Sequence, residues 1–376
     1  MGKIKVAHIL HSVGGVEVYL DLVAKNIDSN KFETIIIHGK SRKNKQYFNK
    51  ENQVVKQFFV PMTRDISIIT DLKCVFKTIK ILKREKPNLI HAHSAKGGII
   101  ARLASLFYKV HVLHTPHAYS YLSTNSKLKR NLFLVIEQVF KSFNSILLAT
   151  SESELERGIN EVGYKNEKAY LFNNSIKPIK LSSTNQEINY SLPNNYICTV
   201  GRPSFQKNIE MMVEVIQLVK YSIPNIHMVV MGLGVVSPNT ENVKQLIREK
   251  GLESNFTLIE WMEREKALKV ISNSGFYLST SRYEGLPYAI IESLALSKAI
   301  IATNCDGNKD LVKNNFNGFL TPQKNKKLTA EKVIELLNNL EMRKTFERNS
   351  FELFENNFNI DSNISKLENI YLKFSK

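Results

Sequence analysis

Residues 280–297 read T-S-R-Y-E-G-L-P-Y-A-I-I-E-S-L-A-L-S and come directly after the apolar run 275–279, G-F-Y-L-S. The run predicts a buried strand, and residues 280–297 predict a tight turn and then a helix. Gly285 loosens the backbone, Pro287 suits the first helical position because its missing N–H would be unpaired there, and residues 289–296 propagate the helix. The N-terminus of a helix presents free N–H groups and partial positive charge, so a phosphate is a fitting guest, with Arg282 just before it. Glu284 and Glu292 stand eight residues apart, which is at most roughly 12 Å along a helix. Carboxylates accept hydrogen bonds from sugar hydroxyls, so one would hold a ribose and the other a second sugar, with the phosphates between them on the helix end. An amphipathic helix with two exposed acids is the plainer reading of the same spacing.

A chain of 376 residues is too long for one comfortable core and suits two domains. With 43% hydrophobic and 23% charged residues it has the make-up of a soluble globular protein. The stretch 97–113 is broken by Arg102 and Lys109, so no transmembrane run is expected, and the N-terminus enters a strand without a signal-peptide pattern, which predicts a cytoplasmic protein. Cys74, Cys198 and Cys305 lie far apart and predict reduced, buried thiols. The net charge of +17 is uneven: residues 1–190 carry 29 Lys+Arg against 15 Asp+Glu, and residues 191–376 carry 23 against 20. An excess of +14 in the first half suggests an anionic partner there, a membrane face or a nucleic acid, unless the charge is simply solvated.

Taken in order, residues 3–10 (KIKVAHIL) predict a strand, then Gly14 and Gly15 a turn that allows close approach of a ligand, then a helix over 16–27. No G-x-G-x-x-G is present, so a dinucleotide fingerprint is unsupported. Further strands are expected at 32–38 and 54–60, with the basic loop 40–50 between them, and a helix at 66–86. Lys73, Lys77, Lys80 and Arg84 give that helix a basic face, beside an apolar stripe of Leu72, Val75, Phe76, Ile79 and Leu82. Strands at 88–91 and 110–114 bring His91, His93, His114 and His117 to strand ends, where ligands of parallel sheets sit, so four imidazoles are expected to share one crevice. His117 is the favoured functional one because Pro116 fixes its turn. A zinc site is the sharper alternative, without a paired cysteine or H-E-x-x-H to support it. Residues 119–143 alternate aromatic, basic and apolar side chains, as would a segment beside a bilayer or a core helix with basic ends. Ser151 and Glu154 predict a capping box. Strands at 145–150 and 169–172 close this half; residues 177–195 then lose all periodicity and read as a linker. The second half restarts with strands at 196–201, 227–231, 256–259, 276–279, 299–303 and 318–320 alternating with helices, and sets Arg202 and Lys207 straight after its first strand.

These residues together resemble the retaining glycosyltransferases of family 4. The features that carry the resemblance are Glu284, seven residues, Glu292 within S-R-Y-E-G-L-P; Gly14-Gly15-Val16-Glu17; His91-Ala92-His93-Ser94; the His117 turn; and Gly201-Arg202 with Lys207. The resemblance implies the α/β GT-B fold, two Rossmann-like doubly wound parallel-sheet domains facing a central cleft. On it, residues 1–180 would be an N-terminal acceptor-side domain, 181–195 the linker, 196–358 the nucleotide-sugar-binding domain, and 359–376 a helix crossing back to the first domain. It implies that Arg202, Lys207 and the Gly285 and Leu286 amides hold the donor diphosphate and Glu292 the ribose. Glu284 would hold the transferred sugar, Gly14 and Gly15 would approach the phosphates, and His117 would sit near the donor sugar, leaving His117 and Glu284 as the catalytic candidates. No metal or other cofactor is implied, because preorganised cations and amides stabilise the leaving group. A UDP-sugar is the preferred donor, with GDP also admitted. The acceptor would be lipid-linked or saccharide, in capsule, exopolysaccharide or O-antigen synthesis, with the enzyme peripheral on the inner face of the cell membrane through residues 66–86 or 119–143 and no nucleic acid bound. Ala118, where many relatives carry glycine, the loose match of residues 306–310, and the missing acid in the Gly232-Leu233-Gly234-Val235 turn depart from the family pattern. A nucleotide-sugar epimerase of the same fold would share the donor pocket, and a nucleic-acid-binding protein would explain the charge alone.

Overall fold

The computed structural model describes residues 2–11, 14–39, 45–63, 67–181, 190–234 and 237–375. Ser12, Val13, Ile66 and Val235, most of the linker and part of the 40–50 loop lie outside the described residues. The chain divides into two compact units, Met1–Ser175 with Asn359–Lys376, and Ile176–Phe358.

The first unit runs β1 (Ile4–Leu10), α1 (Gly15–Asn26), β2 (Phe32–His38), β3 (Lys56–Phe59), α2 (Ile68–Glu85), β4 (Leu89–His93), α3 (Ser94–Ser105), β5 (Val112–Thr115), α4 (Lys127–Phe140), β6 (Ser145–Ala149), α5 (Glu152–Arg157) and β7 (Ala169–Leu171). Its seven strands are parallel in the order β3-β2-β1-β4-β5-β6-β7. The second unit runs β8 (Ile197–Val200), α6 (Ile209–Lys220), β9 (Met228–Leu233), α7 (Thr240–Glu249), β10 (Phe256–Glu260), α8 (Arg264–Asn273), β11 (Tyr277–Ser279), α9 (Tyr288–Ala295), β12 (Ile300–Thr303), α10 (Asn308–Leu311), β13 (Gly318–Thr321), α11 (Lys326–Asn338) and α12 (Leu340–Asn357). Its six parallel strands take the order β10-β9-β8-β11-β12-β13. The last helix, α13 (Ile360–Phe374), belongs to the first unit.

Both sheets reverse strand order once, between β1 and β4 and between β8 and β11, and the crevice beyond the carboxyl ends of such a pair is where open parallel sheets take ligands. Parallel strands buried on both faces should be apolar throughout. On one face of the first sheet Ala7, Ile9, Ile90 and Ala92 obey this, packing on Cys74, Val75, Ile79 and Leu82 of α2 and on Ile100, Ala101 and Ala104 of α3. On the other face His8 lies in register with His91, and both are fully buried. Sequence boundaries hold to within a residue or two; β4 extends through His93, so His91 and His93 lie inside the strand and not beyond it.

Two readings of the first unit need correction. His114 does not join the other histidines, because it pairs in register with Ala92 and therefore points to the opposite face, where it lies 3.9 Å from Glu137, itself held by the buried Arg102 guanidinium at 3.0 Å. The capping box is incomplete: Ser151 Oγ accepts from the Glu154 N–H, but the Glu154 carboxylate reaches past Ser151 to the Thr150 N–H at 2.7 Å and to the Ala118 N–H at 2.7 Å.

Both stretches considered for membrane contact are amphipathic helices with apolar residues left outside the core. On α2, Val75, Ile79 and Leu82 are buried, yet Leu72 and Phe76 are exposed together with Ile68 and Ile69. On α4, Leu128, Leu132, Val135 and Val139 repeat at helical spacing and are all exposed, Leu128 to 81%. Of residues 119–143, Tyr119 and Tyr121 are instead fully buried and belong to the core.

Candidate active site

In the second unit the elements around the β8/β11 switch point gather most of the residues singled out by sequence. The turn after β11 is fixed from below: Thr280 Oγ1 donates to the Asn208 carbonyl at 2.9 Å, and Thr303 Oγ1 donates to the Ser281 carbonyl at 2.6 Å. Glu284, only 6% exposed, accepts from Ser281 Oγ at 2.7 Å, Lys207 Nζ at 2.7 Å and Gln206 Nε2 at 2.9 Å. Burial opposes charge on Lys207, but the Glu284 carboxylate outweighs it and leaves the ammonium harder to deprotonate than an ordinary lysine. The Lys207 stem lies over Gly201, where an added Cβ would come to 3.0 Å of Lys207 Cδ. Gly307, at φ +77°, presses on the same turn, since a Cβ there would stand 2.6 Å from the Gly285 carbonyl oxygen and 2.9 Å from Glu284 Cβ. Residues 306–310, a loose match by sequence, thus buttress the turn that carries Glu284 and Gly285.

Glu292 sits on α9, nearly buried, and forms an ion pair with Arg264 Nε at 2.6 Å. Burial raises its pKa above the usual carboxylate value, and Arg264 counters this only in part. Arg202 makes no ion pair among the described residues. Two expectations fail here. Pro287 is the residue before the first helical turn, with ψ 119°, and α9 begins at Tyr288. Arg282 is not available to a phosphate: its guanidinium donates to the Phe205 carbonyl and stacks over the Phe205 ring at 4.5 Å, while its N–H bonds Gln206 O at 2.8 Å, so it holds the 202–207 loop.

In the first unit, Gly14 (φ +59°) is the N-cap of α1 and Gly15 its first residue. One turn on, Tyr19 packs edge-on against His117 with ring centroids 5.1 Å apart, so the glycine turn and the His117 turn meet through this ring. His117 and Ala118 both have positive φ, 53° and 77°, and the Glu154 carboxylate pins the Ala118 N–H. Beneath them His117 Nε2 bonds His93 Nδ1 at 3.1 Å, and His93 Nε2 bonds His8 Nδ1 at 3.0 Å. His91 bonds Tyr371 of α13 through Nδ1 at 2.7 Å and Thr115 through Nε2 at 2.9 Å. His8, His91 and His93 bring one ring nitrogen each within 4.8 Å of one another, the spacing of a metal cluster. Both nitrogens of His91 and of His93 are nevertheless spent on protein partners. Burial holds His8 and His117 down to about 3 and the other two well below their ordinary value, so all four imidazoles are neutral.

A strand, a Lys–Glu pair at its end, a second acid eight residues on and a pinned histidine make a constellation that comparison with known proteins identifies. The model described as "Glycosyltransferase Family 4" matches residues 13–178, and "Glycosyl transferases group 1" matches residues 184–353. The chain belongs to the family 4, group 1 glycosyltransferases. It is 26% identical over 98% of its length to the Escherichia coli UDP-Gal:alpha-D-GlcNAc-diphosphoundecaprenol alpha-1,3-galactosyltransferase, covering 97% of that protein. It is also 26% identical over 94% of its length to the Staphylococcus aureus capsular polysaccharide biosynthesis glycosyltransferase CapM, covering 91% of it. The solved structure of sucrose-phosphate synthase from Thermosynechococcus elongatus superposes with a TM-score of 0.85 at 17% identity, covering 99% of each chain. The fold is accordingly GT-B. Sequence reading of this glycosyltransferase missed Gln206, Arg264, Glu154 and His8. Only Ser281 carried a local signal, a hydroxyl three residues before Glu284.

Proposed function

We propose that this glycosyltransferase moves a sugar from a UDP-sugar, with retention of configuration, to a lipid-linked acceptor in the synthesis of a surface polysaccharide, and that it needs no divalent cation. The observation that carries the reading is the Lys207–Glu284 pair at the β8/β11 switch point, with Glu292 one short helix away. A diphosphate entering there takes Lys207 as its counterion, joined by Arg202 and by the Gly285 and Leu286 amides. Glu284, released, accepts from hydroxyls of the transferred sugar. Glu292 accepts from the ribose hydroxyls, as its α9 position beyond the turn suits. Negative charge grows on the leaving diphosphate in the transition state, and fixed cations and amides stabilise it. Gly14 and Gly15 offer the N-terminus of α1 to the phosphates, and His117 serves the sugar. The names of the two relatives, one with a UDP-sugar and a diphosphoundecaprenol acceptor and one capsular, support the donor and acceptor classes.

A lipid-linked acceptor calls for a place at the membrane. Among the described residues no helix is long and apolar enough to cross one. The exposed stripe of α4, with Lys127, Lys129 and Arg130 exposed around its first turn, suits an anionic bilayer surface, to which each well-placed cation adds about 1 kcal/mol.

The test is release of nucleoside diphosphate from a panel of UDP- and GDP-sugars, with and without detergent-solubilised polyprenyl-diphosphate acceptor, with EDTA added, and with the product's anomeric configuration read by NMR. Release from one UDP-sugar, dependent on acceptor, insensitive to EDTA and reduced at least about a hundredfold in Glu292→Ala, is the expected result. Conversion of donor without diphosphate release, or an activity that EDTA destroys, overturns the reading.

A further inference from the structure

The hydrogen bonds among the buried histidines of the first unit fix where each proton sits, by a simple count of hydrogens. Thr115 has one hydroxyl hydrogen and gives it to the Leu148 carbonyl at 2.8 Å, so toward His91 Nε2, 2.9 Å away, its oxygen can only accept. His91 therefore carries its hydrogen on Nε2. A neutral imidazole has one N–H, so Nδ1 is a lone pair and the Tyr371 hydroxyl donates to it.

The same count applies to His117, His93 and His8, which are bonded in series. Neutral His93 has one hydrogen for its two ring bonds, so both bonds run in the same direction. If every hydrogen sat on Nε2, the series would end in a His8 Nε2–H that is buried and has no acceptor among the described residues. If every hydrogen sits on Nδ1, the series ends instead in a bare lone pair on His8 Nε2. Orphaned buried N–H groups are the rarer of the two in folded proteins, and the second arrangement is favoured. It leaves Nδ1–H on His117, the one member of the series that is not fully buried.

We propose that His8 and His93 are positioning residues that hold His117 as its neutral Nδ1–H tautomer, so that His117 meets its ligand as a hydrogen-bond donor to an oxygen and not as a base. This rests on the reading above in which His117 serves the donor sugar; the tautomer itself does not. A neutral donor suits a sugar hydroxyl, and it leaves the transfer without a protein base on this side. The length of the series explains why a polar strand residue, His8, is kept in an otherwise apolar layer: it is the far end of a proton count that begins at the ligand.

The experiment is long-range proton–nitrogen NMR of the full chain labelled with 15N-histidine, which distinguishes protonated Nδ1 from protonated Nε2. His117 and His93 are expected protonated at Nδ1, with His91, protonated at Nε2, as the internal contrast. His117 protonated at Nε2 in the wild type overturns the proposal with no variant needed. His8→Phe removes the first donor of the series. It is expected to turn His117 into a mixture of tautomers and to lower kcat about tenfold, a fraction of the loss from deleting a donor outright, while UDP binding read through the fluorescence of Trp261, the single tryptophan, is unchanged. His8→Asn, whose amide N–H stands where Nδ1–H stood, is expected to restore both tautomer and rate. A fall in kcat in His8→Phe with the His117 tautomer unaltered also overturns it. Should no nucleotide sugar be turned over by the wild type, the functional reading fails, and the spectrum still decides the tautomers.

Discussion

Ala118 shows how a single residue can be at odds with its place. Its φ of 77° lies in the left-handed region, which penalises a Cβ, and the preceding His117 shares that conformation. The turn persists because the Glu154 carboxylate accepts from the Ala118 N–H at 2.7 Å and from Thr150, tying β5's exit to the start of α5. Ala118→Gly removes the steric cost and adds back chain entropy in the unfolded state, so a net gain of about 0.5–1 kcal/mol in the first unit is expected by denaturant titration, with turnover retained. A loss of stability would mean that Glu154 and not the alanine sets the turn. At this scale the sequence revealed the ligand-facing residues and not their holders. Glu284 and Glu292 were legible because their spacing is local. Arg264 and Gln206 were not, because Arg264 reaches Glu292 across 28 positions and Gln206 reaches Glu284 across 78.

Among the elements, strands and helices were legible almost throughout, since parallel strands announce themselves as short apolar runs between helical periods. Which face a strand residue takes was less so. The histidines illustrate it: register with Ala92 sends His114 to the α2/α3 side, and register with His91 draws in His8, and register is a tertiary fact. The α4 stripe is the complementary case, a periodicity visible in sequence whose exposure only the packing decides. Replacing Leu128 and Leu132 by Glu leaves the core untouched, because both are exposed. Expected is full solubility and fold by circular dichroism, with flotation on vesicles containing anionic lipid reduced at least about tenfold, and wild-type flotation weakened by added salt. Equal flotation of both proteins would leave α4 without a membrane role.

The whole molecule divides its histidines unevenly: eight of the nine, all but His227, lie in the first unit. His8, His91, His93 and His114 are fully buried there, and burial holds each below its ordinary value of 6.5. Because the folded values are depressed, the unfolded chain takes up protons first as pH falls. The stability these groups leave intact above about 6.5 is eroded below it, at about 1.4 kcal/mol per pH unit for a buried group such as His8. Calorimetry is expected to show the first unit's transition falling steeply between pH 7 and 5.5, while the second unit's, followed by Trp261 fluorescence, falls much less; parallel falls would show that the imidazoles are not the cause. The two-unit plan itself was legible from the doubled α/β pattern. The excursion of the chain has a different kind of consequence. Residues 176–358 are made in full before α13, whose Ile360, Leu367 and Tyr371 complete the first unit. During synthesis the first sheet therefore waits with one face uncovered and with His91 lacking its donor until Tyr371 emerges. A message cut short anywhere before that codon yields a chain whose second unit is whole and whose first is open to proteases, so α13 acts as a proofreading mark for full-length translation.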